Sequence, residues 1–226
     1  MGSVPVNLVT ALRDELGLQR AVETGTYRCQ GTRRLARVFA EVATIELSDE
    51  LFVEAQAKLG RFGNVHVIHG DSGAELPGLA ELGVPTLYFL DSHWSGGVTA
   101  GEGYECPLLS ELAAIAPGHP DDCILVDDAR CFQFAPPPPH DPHQWPTLLE
   151  VMDGLRSAHP EHHVTVVNDM VVAAPERARP LIDQFGRDGA EAPLGSGFLR
   201  FTFGAGRALG RASTALIAAS QRASRV

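Results

Sequence analysis

Three aspartates and a histidine are the side chains best suited to chemistry in this chain: Asp91, His93 and the pair Asp127-Asp128. Each acidic group closes an apolar run, Pro85 to Asp91 (PTLYFLD) and Asp122 to Val126. Such runs read as strands buried on both faces of a parallel sheet. If the two strands are neighbours, the three carboxylates converge, and converging carboxylates repel and rise in pKa unless a cation neutralises them. A hard divalent ion such as Mg2+ would do so, accepting carboxylate oxygens and leaving positions for substrate hydroxyls. The plainer role for the same aspartates is turn or cap chemistry. His93 has an imidazole whose ordinary pKa of about 6.5 suits it to take a hydroxyl's proton. A surface-loop or metal-adjacent histidine is the competing role.

A second constellation lies at Arg20 to Thr32, RAVETGTYRCQGT. An apolar run ends at Glu23, meets Gly25 two residues later and leads past Gly31 into helical periodicity. Strand, tight turn and helix in that order put Glu23, Thr24, Gly25 and Thr26 at the mouth of a βα unit, where a nucleotide-like ligand can approach the main chain. A dinucleotide fingerprint would need a glycine where Tyr27 stands, and a phosphate loop would need a lysine that is absent. An acidic strand end suits a cationic head group better. With Glu23, Gly25 and a later Gly31, the stretch resembles the first motif of the class I S-adenosylmethionine (SAM) methyltransferases, its last glycine two positions late. The resemblance implies SAM as methyl donor, whereas spacing alone implies only a nucleotide-like ligand.

The elements that must position these residues follow from periodicity. Val6 to Gly17 is an amphipathic helix, Arg33 to Glu41 continues a second, and Val42 to Glu46 is the next strand. Glu46 lies about 20 residues past the first turn, where this architecture places a carboxylate on ribose hydroxyls, with Leu47 beside it. A helix from Ser48 to about Leu59 and a strand from Val65 to His69 lead to Asp71-Ser72, whose counterpart in the family meets the adenine and which could equally cap a helix. Beyond the fourth strand, Cys106 to Ala116 and Trp145 to Ala158 read as helices, and His163 to Asn168 and Met170 to Ala174 as a final hairpin. Two long loops, glycine-rich Ser92 to Tyr104 and proline-rich Ala129 to Gln144, flank one crevice and form the acceptor site. His140 and His143 border the second loop and could meet substrate; His66, His69, His162 and His163 are structural.

The expected fold is α/β: a doubly wound, mostly parallel seven-stranded sheet with an antiparallel last strand, over one domain of residues 1–194. An Arg-rich segment, 195–226, follows as a helix or tail. An aspartate after the fourth strand and a pair after the fifth resemble the metal-dependent O-methyltransferases. That resemblance implies Asp91, Asp127 and Asp128 as cation ligands, Asp91 also as donor contact and catalytic residue, and a hydroxyl on a sugar, polyol or catechol-like acceptor. The catechol type carries a lysine base where this chain has Trp94, so His93 is the candidate base.

With 226 residues and a formal charge of −10, a nucleic-acid partner is disfavoured. Cys29, Cys106, Cys123 and Cys131 show no metal or disulfide spacing, and no apolar run reaches the roughly 20 residues of a membrane span. The expected setting is cytoplasmic, with a small-molecule acceptor; the reading admits a homo-oligomer. A donor-binding module without catalysis is the alternative function.

Overall fold

Alternation of short apolar runs with amphipathic ones produces the expected layers in the computed structural model, which describes residues 4–80, 83–97, 99–116 and 118–191. In chain order the elements are α1 (Val6–Leu16), β1 (Arg20–Thr24), α2 (Gln30–Leu35), β2 (Val42–Glu46), α3 (Asp49–Leu59), β3 (Val65–His69), α4 (Ser72–Ala80), β4 (Thr86–Leu90), α5 (Leu108–Ala114), β5 (Cys123–Val126), α6 (Arg130–Gln133), α7 (Leu148–Ala158), β6 (His162–Val167), β7 (Met170–Pro175) and α8 (Arg179–Glu191). One seven-stranded sheet runs β3-β2-β1-β4-β5-β7-β6. Strands β1 to β5 pair in parallel, and β7 lies antiparallel to both β5 and β6.

The central strands carry apolar side chains on both faces. Ala21, Leu87, Phe89, Leu125 and Val172 pack with α1 and with Ile182 of α8. Val22, Tyr88, Leu90, Ile124 and Val171 pack with Leu76 of α4, Leu112 of α5 and Val151 of α7. The order reverses beside β1, and the crevice at that switch point opens at the carboxyl ends of the strands. The chain divides into two compact units, one ending at Phe185 and one beginning at Gly186, and the sheet lies in the first. The Arg-rich segment 195–226 lies outside the described residues. Among those described, no helix is long and apolar enough to cross a membrane.

Three helix boundaries differ from periodicity, each for a local reason. The helix expected to reach Glu41 ends at Leu35. Asn64 Nδ2 donates to the carbonyls of Ala36 and Phe39, and Arg13 donates to that of Val38, so the chain turns into β2 with its carbonyls taken. The fifth helix starts after Pro107, not at Cys106. The seventh begins at Leu148 because Thr147 and Glu150 form a capping box. Trp145 is thereby left in the proline-rich loop, facing the site.

One buried histidine contributes less to stability in acid. His159, at the end of α7, is 6% exposed, and its Nε2 has no hydrogen-bond partner among the described residues. Burial, then the neighbouring His162, lowers its pKa from 6.5 to about 4. Between those values the unfolded chain binds a proton that the folded chain refuses, so the contribution of His159 to stability is constant above 6.5 and falls as pH drops toward 4. The loss approaches about 3 kcal/mol. Denaturation midpoints of the wild type relative to His159→Phe should decline from pH 7 to 4; a difference that does not change with pH would refute the assignment.

Candidate active site

The residues that end β1, β2, β3, β4 and β5 line a single cleft open to solvent. Gly25, Tyr27, Glu46, Leu47, Asp71 and Ser72 form one half, and Asp91, His93, Thr99, Tyr104 and Asp128 the other. The first half is built on close backbone approach. Gly25 adopts φ 82°, and a Cβ there would stand 2.2 Å from the carbonyl oxygen of Asp91. Glycine at this point joins the β1 and β4 ends before any ligand is considered. Gly25→Ala should therefore destabilise the fold itself, by at least about 3 kcal/mol or roughly 6–12 °C in melting temperature. A wild-type melting temperature in that variant would contradict this packing.

Glu46 reaches the cleft with its carboxylate fixed. Oε2 accepts the Tyr27 N–H and Oε1 the Ser48 N–H, each at 2.9 Å. Tyr27 reaches this position with a left-handed φ of 44°. The residue that removes the dinucleotide motif thus donates its backbone to the acidic anchor.

Glu23, Thr24 and Thr26, expected at the ligand, lie instead beneath the cradle. Thr32 and Thr44 donate to Glu23 Oε2 at 2.5 and 2.7 Å, and the Thr26 hydroxyl meets that of Thr44 at 2.7 Å. Since Thr44 spends its hydrogen on Glu23, Thr26 is the donor to Thr44. Burial lifts the Glu23 carboxyl to about 7 against the pull of those hydroxyls. Gly31 makes room for this carboxylate: a Cβ would sit 2.1 Å from Glu23 Oε1. The Thr24 hydroxyl faces the Asp91 N–H at 3.3 Å. All three side chains are consumed internally and do not line the cleft.

In the other half the imidazole of His93 lies between two carboxylates. Nδ1 is 3.4 Å from Asp91 Oδ1, and Nε2 is 3.4 Å from Asp128 Oδ2. Asp128 takes a left-handed φ of 58°, and its second oxygen binds Arg130 Nη1 at 2.8 Å. Arg130 also pairs with Asp169 in the β6–β7 turn. Burial, reinforced by Asp127 and Asp128 and opposed by His93, pushes Asp91 up to about 8. Burial would raise Asp128 too, but His93 and Arg130 outweigh it and hold this carboxyl at about 2. For His93, burial pulls the pKa down, and Asp128, Asp91 and Asp127 together raise it above its ordinary 6.5.

One ligand atom from each of Asp91, His93 and Asp128 lies within 4.8 Å of the others. An octahedral ion with oxygen distances of about 2.1 Å needs neighbours roughly 3 to 4 Å apart, and the two 3.4 Å contacts use opposite nitrogens of one ring, so the three side chains would have to draw together to hold one ion. Asp127, expected in that set, is outside it. Its Oδ1 turns back to accept the Asp128 N–H at 2.9 Å, and its Oδ2 is buried without a hydrogen-bond partner among the described residues. Periodicity also gave no sign of Glu111, a buried acid on α5 that holds the Ser92 hydroxyl at 2.6 Å and so fixes the loop between Asp91 and His93. Of the histidines flanking the proline-rich loop, His140 packs edge-on against Trp94. Arg130, two residues past the aspartate pair, could have been suspected as its counter-ion.

No family model matches the chain, and no curated protein matches it. Solved structures do. A Staphylococcus aureus protein provisionally named a caffeoyl-CoA O-methyltransferase superposes with a TM-score of 0.53 at 14% identity, over 75% of this chain and 82% of its own. TomG, an O-methyltransferase of Streptomyces achromogenes solved with SAM, gives 0.52 at 16% identity over 75% and 79%. A Bacillus cereus O-methyltransferase in complex with SAH gives 0.52 at 17% identity over 76% and 81%. With the strand order and the switch-point cleft, these similarities identify the fold as that of the class I SAM-dependent methyltransferases.

Proposed function

We propose that the chain transfers the methyl group of SAM to a hydroxyl of a small-molecule acceptor of sugar, polyol or catechol-like type. The observation that carries this reading is the Glu46 carboxylate, held by two backbone N–H groups at the end of β2 and facing the cleft. Its remaining lone pairs suit two vicinal ribose hydroxyls. Asp71 and Ser72 then border the adenine, Gly25 admits the donor's amino-acid portion to the main chain, and Asp91 faces its cationic end. The charge of −10 favours a small acceptor over nucleic acid, and the four free thiols are in keeping with a reducing cytoplasm.

Asp128 accepts the Nε2 hydrogen of His93 and leaves the Nδ1 lone pair toward Asp91 and the cleft. The acceptor oxygen attacks the sulfonium methyl in line. A C–O bond forms as the C–S bond breaks, and the hydroxyl proton passes to Nδ1. The resulting imidazolium is stabilised by the Asp128 carboxylate facing Nε2. A divalent cation is a second reading, suggested by the grouping of three possible ligands at the cleft. Asp91, His93 and Asp128 would hold it, and it would supply polarisation of the acceptor hydroxyl. Calorimetric titration with SAM and with SAH, each with and without Mg2+, tests the proposal. Absence of binding to either under both conditions would remove it.

A further inference from the structure

The two loops that border the acceptor half are joined by a carboxylate with no part in the mechanism above. Glu105 is 3% exposed. Its Oε2 accepts the Trp145 indole N–H at 2.7 Å and meets His140 Nδ1 at 3.0 Å, and its Oε1 accepts the Asp141 N–H at 3.0 Å. Its own N–H donates to Gln144 Oε1 at 2.9 Å, and its carbonyl accepts the Trp94 N–H at 2.7 Å. One residue of the glycine-rich loop therefore makes four bonds to the proline-rich loop and one to its own.

The proline-rich loop depends on such a tie. Pro136 to Pro139 have no N–H to give, so that stretch cannot be held by backbone donors. The ordered ring cluster lies just beyond it. His140 stands edge-on to Trp94 and Trp145, with centroids 5.1 and 5.5 Å apart, and the Trp145 ring is 5.4 Å from that of His93. Burial would raise the Glu105 carboxyl, but Trp145, Asp141 and His140 outweigh it and hold it below the usual range, so it stays ionised. Removing an ionised acceptor leaves the buried indole N–H and two half-buried donors unpaired.

We infer that Glu105 is a positioning residue: it holds the acceptor wall closed and, through Trp145, sets the seat of His93. The role in catalysis rests on the methyltransferase reading; the structural coupling does not.

The test uses the full chain and its only tryptophans, Trp94 and Trp145, both in this cluster. In Glu105→Ala, tryptophan emission should shift to the red, and amide exchange over 129–147 and 92–105 should accelerate at least tenfold. The His93 Cε1–H NMR signal, identified by its loss in His93→Gln, should move as the Trp145 ring current changes, while SAH affinity stays within about twofold. Glu105→Gln keeps one carbonyl oxygen and should give intermediate shifts. If Glu105→Ala does not fold, Glu105→Gln decides. Unmoved His93 signal and unchanged emission in the folded variant would overturn the inference. Failure of the wild-type chain to bind SAH would instead defeat the methyltransferase reading, with the fluorescence and exchange results still judging Glu105.

Discussion

Glu46→Gln should weaken SAH binding about a hundredfold while leaving a folded protein. Two hydroxyls donating to a carboxylate contribute about 1.5 kcal/mol or more each, so the pair supplies about 3 kcal/mol, and each 1.4 kcal/mol is a factor of ten in affinity. The amide is worse than a neutral substitute. Tyr27 and Ser48 each present an N–H to one oxygen of Glu46. Glutamine offers one oxygen and one NH2, so one backbone donor meets another donor, and the side chain turns away from the position that ribose needs. Calorimetry against SAH, with circular dichroism to confirm the fold, reads the result. An unchanged dissociation constant would mean that Glu46 only ties the β1 and β2 loops together.

The contrast between Glu46 and Glu23 shows where sequence reasoning succeeds. Both carboxylates end strands, and both are found where the strand pattern puts them. Strand ends are legible because an apolar run must stop where the sheet stops, and the order of runs fixes which ends share the crevice. Asp91, Asp128, Glu46 and Asp71 come together on that basis alone. Whether a carboxylate faces ligand or interior depends on neighbours distant in sequence. Glu23 is turned inward by Thr32 and Thr44, 9 and 21 residues away. Asp127 and Asp128 differ by one position, and the left-handed φ of Asp128 sends one toward His93 and the other into the protein. No composition or periodicity carries that distinction. Glu105 was the least visible of all, because its partners lie 35 to 40 residues on in a loop without periodicity. Thr147 with Glu150 is the opposite case: the capping box is a local signature, and it would have placed the start of α7 and left Trp145 free to face the site.

Replacing His93 should separate chemistry from donor binding. His93→Gln is expected to lower methyl transfer by about 10² to 10⁴, the usual range for a positioned base, with SAH affinity little changed because the proposed donor contacts, Glu46, Asp71 and Gly25, are untouched. The pH dependence carries the sign of the environment. The base works only when neutral, and its pKa lies above the ordinary 6.5 because Asp128 and Asp91 favour the protonated ring. Turnover should therefore rise with pH through a limb above 6.5. Asp128→Asn removes the carboxylate facing Nε2, so its limb should move to lower pH. The same variants separate the two routes for the proton. If His93 acts without metal, turnover persists in excess chelator and vanishes in His93→Gln. If a cation held by Asp91, His93 and Asp128 polarises the hydroxyl, chelator abolishes wild-type turnover, and Mg2+ or Mn2+ restores it. Metal-independent turnover that survives in His93→Gln, with an unshifted pH limb in Asp128→Asn, would exclude both routes and leave the trio as an ion-pair cluster that shapes the acceptor wall.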